Sequence, residues 1–287
     1  MELGICVRDI GGRELADLGR FAEAHGFADV YVPDASNGGL ADADGRLTGH
    51  DAFIGLAAMF EATSVVRGAV GVAAAIAHHP APLALAASTL NEQSGGRFSL
   101  GIGVSHRELA AGLGVEFPTS PVAYMRDWLE RLRRSTRGGV AFGAGWPILL
   151  GALGPRMTNL GATHADGVVL NWMTPEHTAD SVAAIRGAAP SGESARTVLY
   201  VRLMPDEATR RDAVAYDALA NYHRHFVAQG LLGTDAIVAG TTLPLADVGR
   251  ARDRIERYRE SGLDLLCVYP HALAPADRAR ALAALVA

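Results

Sequence analysis

The chain has 287 residues, of which 49% are hydrophobic and 20% charged, and its formal net charge is −5. That balance can bury a full globular core and gives no basic footprint for nucleic acid, while the apolar run over residues 69–77 is far too short for a membrane span. All 26 basic residues are arginine, which excludes a lysine Schiff base.

The predicted elements alternate strand and helix. Residues 3–7 form an apolar strand ending at Arg8 and Asp9. A helix over 13–25 follows, with Leu15, Leu18, Phe21 and Ala22 on one face and Gly26 as its stop. The second strand is 29–34, and a glycine-rich loop over 36–49 leads to a helix over 50–63. The third strand is 68–75; after His78-His79-Pro80 comes a helix over 82–93. The fourth strand, 97–103, runs into Val104, Ser105 and His106. Helical sequence around 124–134 and a glycine-rich connection lead to the fifth strand at 148–150 and the sixth at 167–170. The seventh strand is 197–203. A long amphipathic helix around 211–229 and another over 246–261 precede the eighth strand, 264–269, and a last helix starts at Pro275.

Eight near-continuous apolar strands between helices predict an all-parallel sheet covered on both faces. Eight is the number that closes such a sheet, so the expected fold class is α/β, a (β/α)8 TIM barrel, as a single domain over 1–287. An open doubly wound sheet is the second reading. Closure would bring Cys6 and Cys267 to neighbouring strands, as small buried apolar residues. Two cysteines are too few for a disulfide framework and fit a reduced, cytoplasmic setting. The opening MELGICVRD has no basic region followed by a long apolar core, so no signal peptide is expected.

The stretch from Pro147 to His177 is the most informative. It reads strand, then Gly151-Ala152-Leu153-Gly154, then Pro155 at the first helical position, a helix, and a strand running into Asn171 and Trp172. A glycine turn delivering a helix N-terminus points free N–H groups and a positive dipole end at one spot, which suits an anion. Glycine also serves turn tightness alone, so both readings stand on this basis.

A barrel works at the C-terminal ends of its strands. The candidates there are Asp9, Asp34, His78, His79, Ser105, His106, Asn171, Trp172, Arg202, Tyr269 and His271. The first strand offers no His-x-His pair, so a catalytic metal is not expected. Neither cysteine is at a strand end, which argues against a thiol nucleophile. A pocket with few charges, several glycines and an aromatic suits a flat, phosphate-bearing cofactor that brings its own chemistry. Asp34, His79 and His106 are the acid/base candidates, and Trp172 a wall against which a ring could bind. Plain structural readings stand beside these: a cap for Asp34, loop punctuation for His79, a helix start for His106, and a simple mouth wall for Trp172. His25, His50, His164, His177, His223 and His225 read as surface or packing residues.

Several stretches resemble one known family: VYVPD at 30–34, RGAVGVAAAIAHHP at 67–80, LNEQSGGRFSLGIGVS at 90–105, and GALGPRM at 151–157 with ADGVVLNWMTPEH at 165–177. Over nearly its whole length the chain is similar to the luciferase-like monooxygenase superfamily, on its branch of coenzyme F420-dependent oxidoreductases. The resemblance implies a (β/α)8 barrel with coenzyme F420, or alternatively FMN, at the strand C-termini. It also implies a small-molecule substrate and a homodimer paired through barrel-side helices. Position by position, it implies Asp34 as an acid near the deazaflavin and Gly71-Val72 as a non-prolyl cis peptide backing the ring. Gly103, Val104 and Ser105 match a cofactor-contacting turn, and Ala152, Leu153, Gly154 and Pro155 match the turn that receives the phosphate.

There are departures. Sugar-phosphate dehydrogenases of this branch follow the second-strand Asp with His, where Ala35 stands here, and carry Glu after the fourth strand, where this chain has His106. Their acid/base machinery does not transfer, and oxidation of glucose 6-phosphate is disfavoured. The connection between the fourth and fifth strands reads as short, with a reduced substrate lid. Three functions follow: an F420-dependent oxidoreductase, an FMN-dependent monooxygenase, or a non-catalytic flavin-binding or partner barrel.

Overall fold

The eight strands close into one parallel barrel in chain order. They are β1 (Glu2–Cys6), β2 (Asp29–Val32), β3 (Arg67–Ala74), β4 (Phe98–Gly103), β5 (Ile148–Gly151), β6 (Gly167–Asn171), β7 (Arg196–Arg202) and β8 (Leu265–Tyr269). The computed structural model describes residues 1–34, 49–137, 145–190 and 194–287. Closure is made by β1 pairing with both neighbours, Ile5 opposite Val30 of β2 and Leu3 opposite Leu266 of β8. The barrel, not the open doubly wound sheet, is the fold.

Runs that look uniformly apolar in sequence divide by strand alternation into two cores. Val168 and Leu170 of β6, and Leu266 and Val268 of β8, join the large core under the helices. Val169, Leu265, Cys267 and Tyr269 point inward and join Cys6, Tyr31, Leu149, Val198 and Tyr200 in a second core filling the barrel. Cys6 and Cys267 are buried free thiols in that inner core, and burial pushes the Cys6 thiol up to about 12.

The helices are α1 (Gly12–Ala24), α2 (Ala52–Glu61), α3 (Pro80–Gln93), α4 (Arg107–Gly112), α5 (Pro121–Arg137), α6 (Pro155–His164), α7 (Pro175–Ala188), α8 (Asp206–Asp217), α9 (Ala220–Ala228), α10 (Thr234–Thr241), α11 (Val248–Glu260) and α12 (Pro275–Val286). Two of these correct the sequence reading. The single long helix expected around 211–229 is two helices, α8 and α9, with Leu219 in extended conformation between them. No glycine or proline marks the break. Its cause is packing: Leu219, Tyr222 and Phe226 share a small separate core with Trp172, Ala213 and Ile237, which a straight helix could not complete. Ala35 and most of the 36–49 loop lie outside the described residues, as does the 138–144 part of the β4–β5 connection.

The N-terminal end of the barrel is closed by charge. Asp29, 1% exposed, accepts from Arg67 Nη2 at 2.6 Å and Arg196 Nη2 at 2.9 Å, tying β2 to β3 and β7. Removing one partner of an enclosed ion pair costs about 3–5 kcal/mol. Both arginines keep some water here, their side chains being 38% and 25% exposed. Asp29→Ala is therefore expected to cost less, about 2 kcal/mol in chemical denaturation, with ligand binding at the opposite end unchanged.

Candidate functional site

The inward side chains at the strand C-termini set the shape of the mouth. Against β4, the register of β3 passes from Val70 opposite Leu100 to Ala73 opposite Ile102, so β3 carries one extra residue. The cis peptide Gly71-Val72 lies in this bulge. Tyr200 Oη of β7 donates to Gly71 O across the interior at 2.8 Å. Only glycine fits at position 71: a Cβ would lie 2.1 Å from Tyr200 Oη and 2.4 Å from the Tyr31 ring. Val72 lies over a bed of glycines, since Cβ atoms on Gly101, Gly103 and Gly151 would come within 3.0–3.4 Å of its methyl groups. Small residues on β3, β4 and β5 thus leave room on their side of the mouth, while the tyrosines of β2, β7 and β8 fill the other side.

That room is a cavity of about 940 Å³. Asp34, Gly71, Val72, Gly103, Val104, Ser105, His106, Ala152, Leu153, Gly154 and Pro155 all line it, as the sequence reading expected of a mouth site. Four non-glycine residues in the described chain have positive φ: Asp9, Ser105, Trp172 and Ala272, each just beyond the C-terminal end of a strand. Backbone in this region of φ costs of order 1–3 kcal/mol per residue. Its concentration at one end of the barrel marks that end as the working face.

Gly154 is the N-cap of α6, with φ −95° and ψ 158°, and Pro155 begins the helix. No side chain caps this helix. The amides of Leu153, Gly154 and Arg156 make no hydrogen bond to another described residue. A Cβ on Gly154 would meet nothing within 4 Å. The fold itself does not require glycine there, by φ or by space, and the turn presents open backbone donors to the cavity.

Asp34, 7% exposed at the end of β2, accepts from His78 Nε2 at 2.5 Å. Two expected site residues are elsewhere. His79 is the exposed N-cap of α3, where its Nδ1 accepts from Ala81 N at 3.3 Å, so of the histidine pair it is His78 that reaches the site. Trp172 is fully buried in the α8–α9 core and is not part of the cavity lining. Arg202 covers its ring, 3.9 Å from the centroid. His106 lines the cavity with its Nδ1 3.5 Å from Asn221 Nδ2, and burial lowers its pKa, leaving it neutral.

Sequence reasoning missed His177, Tyr216, Asn221, Tyr222, Arg224 and His225, all of which line the cavity. Asn221, Tyr222, Arg224 and His225 were hidden by the break between α8 and α9, which turns α9 across the mouth. The density of aromatic and histidine residues in NYHRHF at 221–226 was the available signal. His225 donates from Nε2 to Trp172 O at 3.0 Å and Asn171 O at 3.2 Å. Burial and the neighbouring His177 lower its pKa to about 4. Among the described residues no group of three or more His, Cys, Asp or Glu is placed to hold a metal ion, and no helix is long and apolar enough to cross a membrane.

The model for the family described as luciferase-like monooxygenase matches residues 7–265. A 5,10-methylenetetrahydromethanopterin reductase of Archaeoglobus fulgidus is 28% identical over 228 residues, a match spanning 72% of this chain and 65% of the reductase's own length. Among solved structures, an F420-dependent secondary alcohol dehydrogenase in complex with an F420-acetone adduct has a TM-score of 0.78 at 16% identity, covering 99% of this chain and 98% of that one. A coenzyme F420-dependent tetrahydromethanopterin reductase from Methanopyrus kandleri has a TM-score of 0.75 at 20% identity, covering 99% and 97%. At such identities the two structures establish the fold.

The buried imidazole of His225 makes stability depend on pH. Its pKa is about 4 folded against 6.5 for the free side chain, so between these values the unfolded chain binds more protons. The stabilisation is complete above pH ~6.5 and is lost as pH falls toward ~4, amounting to about 3 kcal/mol at most. Denaturant unfolding at pH ~7.5 and ~5 is expected to show a smaller acid loss in His225→Gln than in the wild type.

Proposed function

As the chain belongs to the luciferase-like monooxygenase family, we propose that it is a coenzyme F420-dependent oxidoreductase, moving hydride between the deazaflavin and a small organic substrate. The observation that carries this reading is the open turn at 152–155, with unpartnered amides and a Gly154 that the fold does not need. The residues present fit the cofactor. Leu153, Gly154 and Arg156 would hold a phosphate by backbone N–H groups at a helix N-terminus, and the Gly71-Val72 bulge would back the ring. When bound, the deazaflavin supplies two-electron hydride chemistry.

The chain's own residues place, shield and move protons. His78 fixes the Asp34 carboxylate at the rim. The neutral His106 imidazole offers a nitrogen to a substrate hydroxyl, as a general base must, and Asn221 orients it from α9. Tyr222 and Phe117 wall the mouth and exclude water. The same reading includes a reduced cytoplasmic setting and pairing of two chains along α2 and α3, where Ile54 and Leu85 are 73% and 57% exposed. Light scattering is expected to give the mass of two chains; that of one would overturn the pairing.

Fluorescence titration of the purified protein separates the cofactors, because either phosphate could occupy the turn. F420 is expected to bind more tightly than FMN; a yellow, FMN-loaded protein without affinity for F420 would make it a flavin monooxygenase instead. Gly154→Val is expected to weaken F420 binding about tenfold or more with an unchanged melting curve, since φ −95° suits any residue. Leu153→Ala is expected to bind nearly as the wild type does. Wild-type affinity in Gly154→Val would reduce the turn to a structural feature.

A further inference from the structure

The part of the cavity facing the Gly71-Val72 bulge is built around one buried cation. Arg202, at the end of β7, is 1% exposed and lines the cavity. β3 and β7 are opposite in a barrel whose eight strands follow chain order. Its Nε donates to Asp212 Oδ2 at 3.1 Å and its Nη1 to Asn171 Oδ1. Nη2 makes no hydrogen bond to a described residue, although the side chain is almost wholly buried. Three aromatic rings surround the guanidinium: Trp172 at 3.9 Å, Tyr216 at 5.2 Å and Tyr269 at 5.3 Å from its Cζ. Tyr216 and Tyr269 line the cavity too, and neither hydroxyl has a partner among the described residues. Burial raises the pKa of both, so both stay protonated.

These three groups are not enclosed orphans: an arginine nitrogen and two phenols reach the cavity side by side, with no acceptor among the described residues. Nearby carboxylates do not fill the role: Asp212 is taken up at Nε, and Asp9 turns to Arg8, 3.3 Å from its Nε. Arg8 is itself a second guanidinium at this rim, bound to His271 at 3.1 Å. A flat group with negative charge and two oxygens satisfies such a set, since a guanidinium pairs with carboxylate in fork geometry.

We propose that Arg202, with the hydroxyls of Tyr216 and Tyr269, is a carboxylate-binding subsite, and that the small organic substrate is an acid held there by its carboxylate. The subsite assigns the substrate class for the oxidoreductase reading above and rests on that reading for the word substrate. Its location opposite the bulge leaves the β3–β5 side of the cavity for the ring.

Calorimetric titration of the purified chain near neutral pH tests it without turnover, using benzoate and butyrate against benzamide and butyramide. Both acids are expected to bind at least about tenfold more tightly than their amides. Arg202→Gln is expected to abolish that preference and Arg202→Lys to restore part of it. Tyr269→Phe keeps the ring, removes one donor and is expected to weaken the acids about threefold; it carries the test should Arg202→Gln fail to fold. Saturation with F420 is expected to leave benzoate affinity within about threefold. Equal binding of acid and amide, wild-type affinity in Tyr269→Phe and Arg202→Lys, or competition between F420 and benzoate would overturn the proposal, the last by giving Arg202 to the cofactor ring. The two readings fail separately. Benzoate binding without F420 binding keeps the subsite and removes the cofactor, and the converse result keeps the cofactor and removes the subsite.

Discussion

Tyr200 reaches across the barrel to donate its hydroxyl to Gly71 O, and the mouth depends on that contact. It joins opposite strands, and it leaves space at position 71 for nothing larger than hydrogen. The β3 bulge is held from inside by this bond and by the Tyr31 ring. Val72 is thereby laid over the glycines of β4 and β5, and the trough beside it stays open. A closed eight-stranded barrel has just enough interior for its side chains. Filling one side with tyrosines and the other with glycines converts that interior into a packed floor with an asymmetric cavity above it.

The two ends of the barrel treat charge differently. At the closed end, Asp29 has two arginine partners and Glu2 contacts the same two, so charge serves closure. At the open end, Arg202 has a carboxylate at one nitrogen only, with aromatic faces around the remainder. A buried ion pair repays its desolvation only when the remaining protons are also satisfied. Closure and recognition are thus built from the same residue type, separated by how completely each guanidinium is paired.

The histidines show burial deciding chemistry. His225 and His106 are both held neutral by desolvation, one against backbone carbonyls and one beside Asn221. His225 therefore stays unprotonated down to about pH 4, while His106 lines the cavity, where a neutral imidazole nitrogen is placed to act as a base. His78, by contrast, donates to the buried Asp34 carboxylate and steadies it. Which of these roles a histidine takes follows from its neighbours in space.

Local signals in the sequence were enough for the architecture and for much of the rim. Strand alternation, helix punctuation and a count of eight strands lead to the barrel, because closure is dictated by strand number and parallel pairing. The turn at 151–155 was legible too, because its donors are backbone groups whose positions follow from a strand, a glycine and a proline in that order. Asp34 and His106 were visible as strand-end residues, because barrel geometry puts such ends at one face. What local pattern could not supply was the outcome of packing between distant segments. Leu219 carries no helix-breaking signal, yet the core it shares with Trp172 and Phe226 divides α8 from α9 and brings His225, Tyr222 and Asn221 over the mouth. His78 and His79 are neighbours of one residue type, and only the approach of β2 selects His78 for Asp34. Trp172 ended inside rather than at the rim because Arg202, Tyr216 and Phe226 enclose it. The sequence determined which strands and turns exist; the tertiary structure decided which side chains the cavity receives, since that depends on contacts between residues far apart in the chain.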